Sequence, residues 1–82
     1  MKGDPTMIFS LFDDKTDHIK ITIQEVYEAL KEKGYNPINQ IVGYILSEDP
    51  TYITTYQGAR SKIQKLDRDE LLHALLENYI DK

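Results

Sequence analysis

Apolar side chains in this chain recur with the period of an α-helix wherever they cluster. Ile19, Ile23, Val26, Tyr27 and Leu30 fall at i, i+4, i+7, i+8 and i+11, while Glu25, Glu28, Lys31 and Glu32 take the other side. That is the pattern of an amphipathic helix. Ile19, Ile21 and Ile23 also alternate, which suits a strand, but the stripe runs unbroken to Leu30 and favours helix. Thr16 or Asp17 is its candidate N-cap, and Lys33-Gly34 its end, because glycine accepts the positive φ found just past a helix.

A second helix is bounded more sharply. Asn36 is an N-cap residue and Pro37 suits the first helical position. Ile38, Ile41, Val42, Ile45 and Leu46 follow at i, i+3, i+4, i+7 and i+8, predicting one buried face. Pro50 biases its predecessor away from helical angles, so the helix is expected to end between Ser47 and Asp49. Pro50 to Thr55 reads as an extended connector anchored by Tyr52 and Ile53. Tyr56, Ala59, Ile63 and Leu66 predict a third helix over 56–65, its start weakened by Gly58.

The fourth helix begins at Asp67. Glu70 three residues on gives a spacing like a capping box, and Leu71, Leu72, Leu75, Leu76, Tyr79 and Ile80 continue at helical period. No Gly or Pro separates Leu66 from Arg68, so fusion of helices three and four is an alternative. The N-terminal segment is less regular. Gly3 and Pro5 suggest a mobile arm over 1–6. Met7, Ile8, Phe9, Leu11 and Phe12 suggest an extended piece over 7–12, and Asp13, Asp14 and Asp17 a polar linker. The expectation is an all-α, four-helix domain over 18–82 with helix-turn-helix-like pairs, preceded by a flexible arm over 1–17.

Length and charge narrow the function. Eighty-two residues without cysteine make one small domain with no disulfide and no thiolate metal site, of marginal stability alone. Self-association is a common remedy. A net charge of −4 and a pI near 5.0 argue against nonspecific binding to nucleic acid or anionic membranes. No apolar run approaches a membrane span, and the start has no secretory pattern, so a cytoplasmic location is expected.

Candidate chemistry is sparse. His18 and His73 lie far apart without ligand spacing. Ser10, Ser47 and Ser61 lack a nucleophile-elbow context, and no glycine-rich phosphate loop is present. No enzyme activity, metal or cofactor is expected. Arg60, Lys62, Lys65 and Arg68 form a local basic run, readable as a solvated face, a site for an acidic or phosphorylated partner, or the reading face of a helix-turn-helix nucleic-acid binder. Six tyrosines and no tryptophan also matter, because tyrosine is enriched at interfaces. Tyr27 and Tyr79 fall on apolar stripes. Tyr44 lies off the second helix's stripe beside Gly43, as a rim contact would.

The stretch from Lys33 to Ile53 (KGYNPINQIVGYILSEDPTYI) closely resembles the hallmark segment of the IreB family of regulatory phosphoproteins. Ala59-Arg60, Ile63, Lys65 and Arg68-Asp69-Glu70 resemble that family's C-terminal half, and the likeness extends from about Asp4 to Ile80. The resemblance implies a small helical homodimer from the cytoplasm of low-GC Gram-positive bacteria. Such a protein is a substrate of a transmembrane Ser/Thr kinase and its phosphatase, acting in cell-wall stress and cephalosporin resistance. It implies threonine phosphoacceptors in the N-terminal arm. Asp4-Pro5-Thr6-Met7 matches the second acceptor, which assigns Thr6, whereas Gly3 occupies the position of the first; Thr16 is a nearby alternative without motif support. Arg60, Lys62, Lys65 and Arg68 would then dock the phosphate. Tyr35, Asn36, Pro37, Gln40, Gly43, Tyr44 and Tyr52 would form a dimer or partner surface, with an unknown downstream protein as a further partner.

Overall fold

The computed structural model describes residues 3–80, with side-chain environments from residue 17 onward. Four helices appear in chain order: α1 (Gly3–Glu32), α2 (Pro37–Ser47), α3 (Ala59–Gln64) and α4 (Arg68–Ile80). Two 3-10 turns, Pro50–Tyr52 and Tyr56–Gly58, lie between α2 and α3, and no strand occurs among the described residues.

Helix extends further towards the N-terminus than the periodicity indicates: α1 begins at Gly3, so residues 7–12 are helical rather than extended, and Thr16 and Asp17 lie inside α1 rather than at its start. The physical reason is legible afterwards. Pro5 falls in the first turn, where proline is tolerated, and neither Gly nor Pro occurs again before Gly34. A helix of 30 residues rises about 45 Å, which accounts for a molecule of 49 × 24 × 20 Å.

Other boundaries shift by small amounts. Pro50 to Thr55 is not wholly extended: Pro50–Tyr52 makes a 3-10 turn, Ile53 is extended, and Thr55 takes helical angles. The third helix starts at Ala59, because Gln57 and Gly58 both take positive φ, 53° and 72°. Helices α3 and α4 stay separate. The Asp69 amide donates to Asp67 Oδ1 at 2.9 Å and the Leu71 amide to the Asp67 carbonyl, so Asp67 caps α4 as its sequence suggested.

The core has two parts. Val26, Ala29 and Leu30 of α1 pack with Ile41 and Tyr44 of α2, Ile53, Ala59 and Ile63. Ile19, Leu66 and Leu71 form a smaller cluster where α4 begins. Ile23 and Ile45 touch both clusters and join them. Burying Leu30, Ile53, Ile63, Leu71 and Val26 completely contributes about 1.5–3 kcal/mol per side chain.

Two helices are oriented differently from expectation. On α2 the core takes Ile41 and Tyr44, while Ile38, Val42 and Leu46 are 60%, 47% and 80% exposed. At about 100° per residue, Tyr44 and Leu46 end the two sides of an apolar arc too wide for one neighbour. The helix seats its larger ring inward and leaves the far edge open. On α4 only Leu71 is buried, and Leu72, Leu75, Leu76, Tyr79 and Ile80 remain exposed. Tyr79 is therefore a surface residue, and Tyr27 is half-buried.

Candidate functional site

The segment from Gly34 to Ile53 builds itself from caps. Gly34 has φ +88°. Its amide donates to the Lys31 carbonyl at 3.0 Å, and the Tyr35 amide to the Leu30 carbonyl at 2.9 Å. This paired closure is a Schellman motif, which satisfies two orphan carbonyls of α1. Asn36 Oδ1 then accepts the Asn39 amide at 3.1 Å, and Pro37 opens α2.

The middle of α2 holds the connector that follows it. Gln40 Nε2 donates to the Tyr52 carbonyl at 2.9 Å. The Tyr52 ring lies on Gly43, so closely that a Cβ there would stand 2.6 and 2.9 Å from ring atoms Cδ1 and Cζ. Glycine is required here by contact rather than by backbone angle. The Ser47 hydroxyl donates to the Gly43 carbonyl at 2.7 Å, and its oxygen accepts the Asp49 amide at 3.0 Å. Asp49 Oδ1 accepts both the amide and the hydroxyl of Thr51, at 3.0 and 2.7 Å. These two bonds and the nearby Arg60 charge hold the Asp49 carboxyl below its ordinary value.

The basic run is drawn into the same structure. Arg60 Nε donates to the Ile53 carbonyl at 2.8 Å. Arg68 bonds the Ile45 carbonyl and the Glu48 carboxylate, tying the end of α2 to the start of α4. Lys62 pairs with Glu25 of α1 at 3.2 Å. Lys65 is exposed. Three of the four cations thus stand on three different attachments, not in one free row. Nearby, Lys33 sits over the Tyr56 ring, 5.2 Å from its centroid, and a hydrogen bond and the charge of Glu32 push the Tyr56 hydroxyl up.

The residues expected at an interface divide. Tyr35 and Asn36 are exposed, Tyr52 partly so, and Pro37, Gln40 and Gly43 half-buried. Tyr44, placed by its spacing on a rim, is 6% exposed and belongs to the core. Sequence reasoning missed the open face formed by Ile38, Val42 and Leu46. The available signal was the width of the apolar arc once Tyr44 is counted. It also missed the Arg68 tie, a contact between residues 23 positions apart that no local pattern encodes. Thr6 lies on the first turns of α1, and its side chain is outside the described environments.

Both histidines are exposed, and His73 Nδ1 faces Glu77 at 3.6 Å. Among the described residues no three His, Cys, Asp or Glu side chains are grouped to hold a metal, and no helix is long and apolar enough to cross a membrane. What fold and segment define is a small all-α scaffold whose most distinctive stretch is a self-capping clasp.

Comparison with known proteins gives the family. The profile of the IreB regulatory phosphoprotein family matches residues 4–81. A UPF0297 protein of Acetivibrio thermocellus is 54% identical over 82 residues, covering all of this chain and 91% of the relative. A UPF0297 protein of Ruminiclostridium cellulolyticum is 55% identical over 76 residues, covering 93% and 86%. The chain belongs to the IreB regulatory phosphoprotein family.

Proposed function

We propose that this protein is a non-catalytic, cytoplasmic adaptor switched by phosphorylation on Thr6. A transmembrane Ser/Thr kinase and a cognate phosphatase set its state, which modulates the cell-wall stress response and cephalosporin resistance through protein contacts. The family match over residues 4–81 carries this reading. Thr6 is the fourth residue of α1. A helix start frays at low cost, which gives a kinase access to extended backbone. Once added, a phosphate brings about −1.5 to −2 charges to the end of the helix that favours them. Docking on the basic run means competing with Glu25 for Lys62 and with Glu48 for Arg68.

The adaptor acts as a homodimer in this reading. Within one chain Ile38, Val42 and Leu46 of α2 are left 60%, 47% and 80% exposed. The uncharged open face of α2 is the surface a second copy would cover. A helix-turn-helix nucleic-acid reader is the weaker alternative, because Arg60, Lys62 and Arg68 are engaged within the chain.

The decisive experiment presents wild type and Thr6→Ala to the kinase domain and maps the phosphate by mass spectrometry. Phosphate on Thr6 in the wild type and none in the variant is expected. Equal incorporation into both proteins would overturn the Thr6 assignment.

A further inference from the structure

Two apolar faces are left open by packing within the chain, and charge tells them apart. Between Pro37 and Ser47, α2 carries no charged residue. The α4 face is different. Leu72, Leu75, Leu76, Tyr79 and Ile80 are spaced i, i+3, i+4, i+7 and i+8 and are 38–83% exposed. From Asp67 to Lys82 the sequence holds five acidic and two basic residues; Asp67 accepts the Asp69 amide, and Arg68 is held by Glu48 and the Ile45 carbonyl, which leaves Glu77 as the acidic group beside Leu76 and Ile80. The last turn of α4 has no basic side chain, so the negative end of its dipole adds to the charge of Glu77.

A two-fold contact sets each patch against its own copy. On α4 that would bring like charges together, a costly arrangement at an interface. On α2 it would not. The α4 face therefore suits a partner of opposite charge.

We propose that the α4 face docks a basic amphipathic helix of a partner protein. The inference rests on the adaptor reading and names the chemistry of its downstream contact. The mode is helix-in-groove, with apolar anchors at helical spacing and cations flanking them. His73, Leu76, Glu77 and Ile80 line a shallow depression that receives one apolar anchor. Glu77 at its edge meets a Lys or Arg of the partner. Its present contact with His73 is an exposed pair, weak enough to be exchanged.

The test uses the full chain and a fluorescent Leu/Lys amphipathic peptide of about 18 residues, or five helical turns. Two controls accompany it: the same composition scrambled to destroy the apolar face, and a Leu/Glu twin. Anisotropy should show micromolar binding of the Leu/Lys helix and roughly tenfold or weaker binding of both controls. Leu76→Glu and Glu77→Lys should each weaken binding several-fold, whereas Ile21→Glu, the same kind of change at an exposed site on α1, should not. Circular dichroism confirms the fold of each variant, and Glu77→Lys alters a surface charge that the core does not need.

Equal binding of the scrambled peptide or of the Leu/Glu twin would overturn the proposal. So would full binding by both Leu76→Glu and Glu77→Lys, or conversion of a dimer to a monomer by Leu76→Glu, which would give α4 to a second copy. Failure of Thr6 labelling is read separately and leaves these outcomes intact.

Discussion

Gly43 and Asp49 show how single atoms hold the clasp together. At Gly43 the backbone is ordinary helix, and the constraint is the Tyr52 ring lying against its Cα hydrogens. Gly43→Ala would raise helix propensity by about 1 kcal/mol on an isolated helix, yet here a methyl cannot enter without moving the ring. Overpacking costs about 1–3 kcal/mol, so the variant should be less stable in urea unfolding. A stabilised Gly43→Ala would show that Tyr52 swings away freely. Asp49 works through charge. Its folded pKa lies below its ordinary 3.8, so its contribution is present above that value and is lost as pH falls through the folded pKa. Asp49→Asn should therefore be destabilised at neutral pH and converge on wild type in strong acid. A gap that persists unchanged in acid would refute the assignment.

At the level of elements, the helices were legible where local chemistry is decisive. Asn36-Pro37, Gly34, Asp67 and Pro50 each act on their own neighbours, and their caps form as their residue types dictate. The rotation of α2 was not legible, because it depends on which of two apolar edges a distant neighbour accepts. Spacing favoured Ile38 through Leu46. Packing chose Tyr44, whose ring joins Val26, Leu30 and Ile53. The length of α1 was not legible for a related reason: Gly3, Pro5 and the aspartates have the composition of a linker, though neither Gly nor Pro occurs between Pro5 and Gly34 to end a helix. Tyr44→Asp would place an unpaired charge in the larger core cluster, so loss of cooperative unfolding is expected. A folded Tyr44→Asp protein with native helicity would show that the ring is not part of the core in solution.

For the whole molecule, the question is what becomes of the surface left over. The open faces of α2 and α4 leave large apolar side chains uncovered within a single chain. A small domain with two modest core clusters gains stability most directly by covering such surface with another copy. On α2, Leu46 stands at 80% exposure on a helix without charges. Leu46→Asp should therefore leave the fold of each protomer within about 0.5 kcal/mol of wild type, as surface changes usually do. It should nonetheless abolish self-association, because a two-fold contact buries the new carboxylate against apolar groups and brings it towards its own copy. Sedimentation of wild type and Leu46→Asp, with circular dichroism on both, separates the two effects. A dimer that survives the substitution would exclude α2 as the contact, and a monomeric wild type would remove the homodimer itself.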